Sequence, residues 1–148
     1  MTILKETEQL HNILGPIRFD NGKGDHKIGL HDYAPYWVAR PMGWMSEEVE
    51  LLISGDSSGP SPDSLDRAIH AFNSHEKIKK EGRDLIRLKI INETSPDNDI
   101  THFEADLLWI DCQQTKTIAV FKWDGYTYIK WEATLNETDD IINLQEQT

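Results

Sequence analysis

The dipeptide Asp124-Gly125, set between two apolar and aromatic runs, constrains the fold of this chain more than any other feature. Asp-Gly is favoured in two-residue type I′ turns because both turn residues need positive φ. We therefore predict a β-hairpin with strands Thr115–Trp123 and Tyr126–Ala133. The turn sets the register, which pairs Trp123 with Tyr126, Phe121 with Tyr128, Val120 with Ile129, and Ile118 with Trp131.

The segment Phe103–Cys112 also alternates and extends the hairpin to a three-strand antiparallel meander. Both faces of this meander are apolar, and a single helix covers only one face of a sheet. The other face is either covered by the segment that contains Trp37 and Trp44 or partly open to a partner. We expect the chain itself to cover it.

A helix is predicted over Pro62–Glu81. Ser61 supplies an N-cap, Pro62 occupies the first helical position, and Asp63 complements the helix dipole. Gly82 follows several lysines and is typical of a helix C-terminus. The alternation of Leu85–Ile91 then predicts a strand.

A further strand is predicted over Glu48–Ser54. Turn-forming residues concentrate in Ser54–Ser64 and Asn92–Ile100 and separate the elements. The predicted fold is a single α+β domain over residues 1–148. In it, an antiparallel β-sheet of the C-terminal three-strand meander plus N-terminal strands packs on one long α-helix. The pattern leaves the arrangement of residues 1–47 open.

Charge and cysteine content narrow the function classes. The chain of 148 residues carries a formal net charge of −11, and phosphate binding needs clustered Lys and Arg, so nucleic acid is disfavoured as a partner. No apolar run has the length of a signal peptide core or a membrane span. The lone Cys112 allows no intrachain disulfide. We expect a cytoplasmic protein that binds no membrane.

Several polar patterns suggest metal or phosphate binding without meeting its requirements. His102, Glu104 and Asp106 would share one strand face, but a half-solvated strand has the same alternation. The glycine-rich run 21–25 follows no apolar strand and precedes no helix start. Asp97 and Asp99 resemble a calcium loop that lacks its glycine and glutamate. We predict no metal and no cofactor.

Catalytic patterns are equally weak. Ser57-Ser58-Gly59 lacks the pattern of a nucleophile elbow. Cys112 lies in an apolar run with no basic residue near it, which is typical of an inert core thiol. We predict no catalytic residue, although a small hydrolase stays open as a third class.

Aromatic residues are the best candidates for partner contacts, because Trp and Tyr are enriched at binding hot spots as well as in cores. Trp109, Trp123 and Trp131 fall in predicted strands and are interpreted as core residues. The predicted partner-binding residues lie mainly in the segment punctuated by Pro and Gly and are Trp37, Trp44, Tyr33, Tyr36, Asp97 and Asp99.

A Trp-containing N-terminal β region, a long helix and an antiparallel meander in a small acidic chain resemble the bacterial immunity proteins that neutralise toxins. The resemblance implies a non-enzymatic protein that occludes a basic toxin or effector domain. The alternative is a regulatory or housekeeping binding module that self-associates through an aromatic sheet face or an edge strand, so a homodimer stays open.

Overall fold

A computed structural model of the chain describes residues 8–20, 36–41, 49–93, 105–124 and 128–147. Within these ranges, two helices, α1 (Pro62–Asn73) and α2 (His75–Glu93), accompany one nine-stranded sheet, which confirms the predicted α+β class. The strands are β1 (Glu8–His11), β2 (Gly15–Asp20), β3 (Tyr36–Ala39), β4 (Glu50–Asp56), β5 (Gly59–Pro60), β6 (Ala105–Cys112), β7 (Thr117–Asp124), β8 (Tyr128–Leu135) and β9 (Ile141–Gln147).

The sheet consists of two antiparallel meanders joined at one parallel pair. Its order is β1-β2-β3-β4-β6-β7-β8-β9, and the short β5 pairs with β4. Among the described strands, only β4 and β6 run parallel, with Leu51 opposite Ile110. Parallel neighbours need a long crossover connection, and α1 and α2 provide it.

The N-terminal half of the predicted helix is confirmed, but its end is not. α1 begins at Pro62 after Ser61, although the Ser61 side chain makes no capping hydrogen bond. The helix is interrupted at Ser74, whose backbone N–H donates to the carbonyls of His70 and Ala71 at 3.0 and 3.2 Å. No helix among the described residues is long and apolar enough to cross a membrane.

The predicted strand over Leu85–Ile91 is wrong, because these residues continue α2. Ile86 and Ile90 are buried and four residues apart, whereas Leu88 between them is 56% exposed. That exposure follows helical rather than alternating geometry. Alternation over only a few residues does not distinguish a strand from a helix.

The C-terminal meander is confirmed, and β9 adds a fourth strand to it. The predicted hairpin register is wrong by three residues. Phe121 lies opposite Trp131, and Trp123 lies opposite Ile129. Asp124 and Tyr128 close the two strands, so three residues rather than two separate them. Successive side chains of a strand point to opposite faces, so a register shift of three residues places Trp131 on the face that carries Phe121 rather than on the face that carries Ile118.

The helices pack on one face of the sheet and bury its largest side chains. The exposed fractions of Trp37, Phe121, Trp123 and Trp131 are all 2% or less. Trp37 also donates its indole N–H to the Asp56 carbonyl at 2.8 Å and so fixes the β4–β5 turn. This face forms the main core.

The second face is also closed to solvent at its centre. Tyr36, Val38 and Leu52 form a separate buried cluster, and Trp109 packs against it. Tyr36 and Leu52 are 1% and 0% exposed within the isolated chain, so the chain itself buries them. Both residues lie on β3 and β4, so cover of the second face of the C-terminal meander stays a prediction. Trp37 does not contribute this cover, because it belongs to the first face.

Gly82 lets α2 approach the sheet closely. A Cβ atom built on this glycine would overlap Cζ of the Phe121 ring. Phe121 is fully buried, so its ring has no free space into which to move. Gly82, which was predicted to end the helix, therefore lies inside α2 and sets the distance between α2 and β7.

We expect Gly82→Ala to destabilise the fold by about 1–3 kcal/mol through overpacking. Alanine is intrinsically favoured over glycine in a helix by about 1 kcal/mol, so any net loss must come from the contact with Phe121. Urea unfolding of both proteins measures the change. The Phe121→Leu background is the control, and an equal loss in both backgrounds would contradict the contact.

Candidate functional site

Two of the predicted partner-binding residues lie in the core. Tyr36 is 1% exposed and Trp37 is 0% exposed, so both side chains support the sheet. A partner could contact these side chains only if the residues that bury them moved. Tyr33, Trp44, Asp97 and Asp99 lie outside the described residues, and partner binding by this set stays a prediction.

The residues considered for metal binding are not assembled into a site. Asp106 is exposed on β6, while His102 and Glu104 lie outside the described residues. Within the described ranges, no group of three or more His, Cys, Asp and Glu side chains is placed to hold a metal ion. The glycine-rich run 21–25 also lies outside those ranges.

The structure instead brings acidic side chains together around a pocket of about 320 Å³. The pocket lies between α1, the loop from β6 to β7, and the turn from β8 to β9. Four carboxylates line it, those of Asp63, Asp66, Glu137 and Asp139. The remaining lining residues are Arg67, His70, Gln114, Thr117 and Asn136.

One face of α1 supplies the helical wall of this acidic pocket. Three of the lining residues follow Asp63 at intervals of three, four and seven positions, and this spacing places all four on one side of a helix. They are Asp66, Arg67 and His70. The opposite side of α1 carries the buried Ala68 and the core contacts. Packing of the apolar stripe thus determines that these polar residues face the pocket.

The turn between β8 and β9 supplies the opposite wall and is held by its own hydrogen bonds. The Asn136 side-chain oxygen accepts from the backbone N–H groups of Thr138 and Asp140 at 3.0 and 2.9 Å. The Thr138 hydroxyl lies 2.8 Å from Asp140 Oδ2. Lys77 of α2 contacts the Thr138 carbonyl at 3.1 Å and forms an ion pair with Asp140.

Asp139 differs from the other three carboxylates in its burial. It is 4% exposed and has a backbone φ of 60°, in the left-handed region. Its backbone N–H donates to the Asn136 carbonyl at 3.1 Å. Its carboxylate makes no hydrogen bond or ion pair with any residue in the described ranges, and Asp139 is one of the residues that line the pocket.

Cys112 lies at the end of β6 and is fully buried, as expected for a core thiol. Burial raises the pKa of its thiol well above the ordinary value, and the nearby Asp111 and Asp139 carboxylates raise it further. A raised pKa keeps the thiol protonated and therefore weakly nucleophilic.

Basic side chains collect on a different element. α2 carries six Lys and Arg residues against four acidic ones, although the whole chain is at −11. A shallow groove of about 230 Å³ on this helix includes Lys79, Lys80, Arg83 and Arg87. The remainder of the chain is therefore more acidic than the total charge suggests.

Comparison of this chain with protein-family models, curated proteins and solved structures finds no match.

The sequence carries two signals for the acidic pocket that the strand and helix predictions do not use. Leu135 and Ile141 end and begin two strands, and the polar residues Asn136–Asp140 between them are a typical turn composition. Because β9 was not predicted, this turn was not recognised. The i, i+3, i+4 spacing on α1 was visible, but only the fold brings it opposite the turn.

We expect the carboxyl group of Asp140 to titrate below its ordinary pKa of 3.8, because Lys77, and then Thr138, donate hydrogen bonds to its ionised form. The stabilisation is therefore present above pH 3.8 and is lost as the pH falls through the lowered pKa. Carboxyl ¹³C NMR measures the midpoint. In Lys77→Met the midpoint should rise, and an unchanged midpoint would contradict the ion pair.

Cys112 should resist labelling by a thiol reagent in the native protein. If access needs global unfolding, labelling should be at least roughly a thousandfold slower than in denaturant. The control is Cys112→Ala combined with Thr115→Cys, which places the thiol at an exposed position of the following loop. Equally fast labelling of both native proteins would show that the β6 end opens readily.

Proposed function

We infer that this chain is a non-enzymatic protein-binding domain that occludes a basic toxin or effector domain, as an immunity protein does. The observation that carries this proposal is the convergence of four carboxylates from α1 and the β8–β9 turn on one pocket. Carboxylates grouped on a rigid surface attract cationic partners and orient them before contact.

The rigidity of the pocket wall supports this assignment. The side chain of Asn136 and the contacts of Lys77 hold the turn without help from a partner. A surface that is ordered before binding loses less conformational entropy on association. The pocket and the net charge of −11 together favour fast, salt-sensitive binding of a basic protein.

A self-associating module is favoured by a different observation. In the sheet formed by the described residues, β9 is an edge strand of seven residues, and Ile142 on it is 64% exposed. Edge strands offer unpaired backbone groups to a second chain. Association of this kind depends on backbone pairing and apolar contact, so it should respond little to salt.

Immobilised protein should capture a basic partner from the source cell's lysate and secreted fraction at roughly 0.05 M salt and release it at roughly 0.5 M. Mass spectrometry identifies the partner. In the combined variant Asp66→Lys and Glu137→Lys, affinity for the partner should fall about tenfold or more, because two exposed pocket charges are reversed.

The matched control reverses two exposed charges elsewhere, Asp84→Lys on α2 and Glu146→Lys on β9. This control has the same net charge as the pocket variant, so equal losses in both would indicate general charge attraction rather than a site. Recovery of only the protein itself at both salt concentrations would overturn the proposal and support the self-associating module.

A further inference from the structure

We propose that the acidic pocket receives the guanidinium group of an arginine side chain from the partner, with the buried carboxylate of Asp139 as its anchor. This inference rests on the proposed function and specifies the group that the partner inserts.

The buried carboxylate of Asp139 is the starting point. Asp139 as a residue is 4% exposed and lines the pocket. Its carboxylate has no hydrogen bond and no close ion pair among the described residues, and Lys77 acts on it only through longer-range attraction. Burial of an ionised carboxylate is unfavourable unless a cation or hydrogen-bond donors compensate it. A cationic group that enters the pocket would supply both.

The charge of the lining selects a cation. Four carboxylates face one guanidinium, that of Arg67, so the lining carries a formal charge of −3 with His70 neutral. The Arg67 Nε–H donates to the Gln114 carbonyl at 3.4 Å, which directs part of this side chain to the loop. The pocket therefore keeps an excess of acceptors over donors.

The size and layout of the pocket favour one guanidinium. Its volume of about 320 Å³ lies within the ~300–1,000 Å³ typical of ligand sites, so an arginine side chain has room to enter. Carboxylates approach from α1 on one side and from the turn on the other. The planar guanidinium has donors that diverge in several directions, whereas a lysine ammonium is a compact point charge.

The test uses N-acetyl-arginine amide as the probe and ¹⁵N-labelled protein observed by NMR. Saturable shifts are expected in the backbone amides of α1 around Asp66 and of the turn around Asp139. The neutral isostere N-acetyl-citrulline amide should give no saturable shift. Absence of saturation with the arginine probe, or equal binding of citrulline, would overturn the inference.

Asp139→Asn removes the anchoring charge and suits the left-handed backbone, since Asn tolerates positive φ. It should weaken arginine-amide binding about tenfold, the effect of about 1.4 kcal/mol. Glu146→Gln is the matched control, because it removes one exposed carboxylate from β9 and should leave binding unchanged. If Asp139→Asn does not fold, Asp66→Asn tests the same pocket from its exposed rim. Unchanged binding in the folded variant would contradict the anchor.

Failure of this inference and failure of the proposed function give different results. If the arginine probe saturates the pocket but no basic partner is captured, arginine binding by the pocket is supported and the immunity function is contradicted. If a basic partner is captured with equal affinity by the protein and by Asp139→Asn, while the doubly reversed pocket variant loses it, the function stands and the anchor is wrong.

Discussion

The close approach of α2 to the sheet at Gly82 determines how the rest of the structure is arranged. Because Phe121 occupies the space where a Cβ atom would lie, the helix is held against β7 and its register along the strand is fixed. Ile78, Ile86 and Ile90 then fall into the main core, and Lys77 reaches the β8–β9 turn. One wall of the acidic pocket thus depends on a glycine that itself lies outside the pocket.

The fold class, the start of α1 and the C-terminal meander were predictable because each has a local cause. Proline and an acidic residue begin the helix, and alternation defines β7 and β8.

The hairpin register was not predictable from Asp124-Gly125 alone. Tertiary packing selects the pairing that brings Phe121 and Trp131 onto the core face, and this pairing needs a longer connection than the dipeptide indicates. The parallel pairing of β4 with β6 has no local signal, since it depends on where the helices return the chain.

The excess of carboxylates is evident from the net charge of −11, but the place where they collect is not. Trp37 is predicted to contact a partner because it lies in a segment punctuated by Pro and Gly, but the fold buries it completely. A count of charges also hides their segregation, since α2 is basic within an acidic chain. Asp139 could not be distinguished from its neighbour Asp140 in the sequence. Only the turn separates them, because it buries one carboxylate and pairs the other with Lys77.

The parallel junction between β4 and β6 has a consequence for how the chain folds as it is synthesised. β3 is synthesised before β4, so β4 can pair with it at once. The other neighbour of β4 is β6, which is synthesised only after both α1 and α2. Leu51, Leu52 and Ile53 of β4 are at most 2% exposed in the folded chain, so a nascent chain that ends before β6 presents an apolar, unpaired strand edge. Such edges pair readily with other chains. During the interval between completion of β4 and synthesis of β6, the nascent chain is therefore open to pairing with other chains.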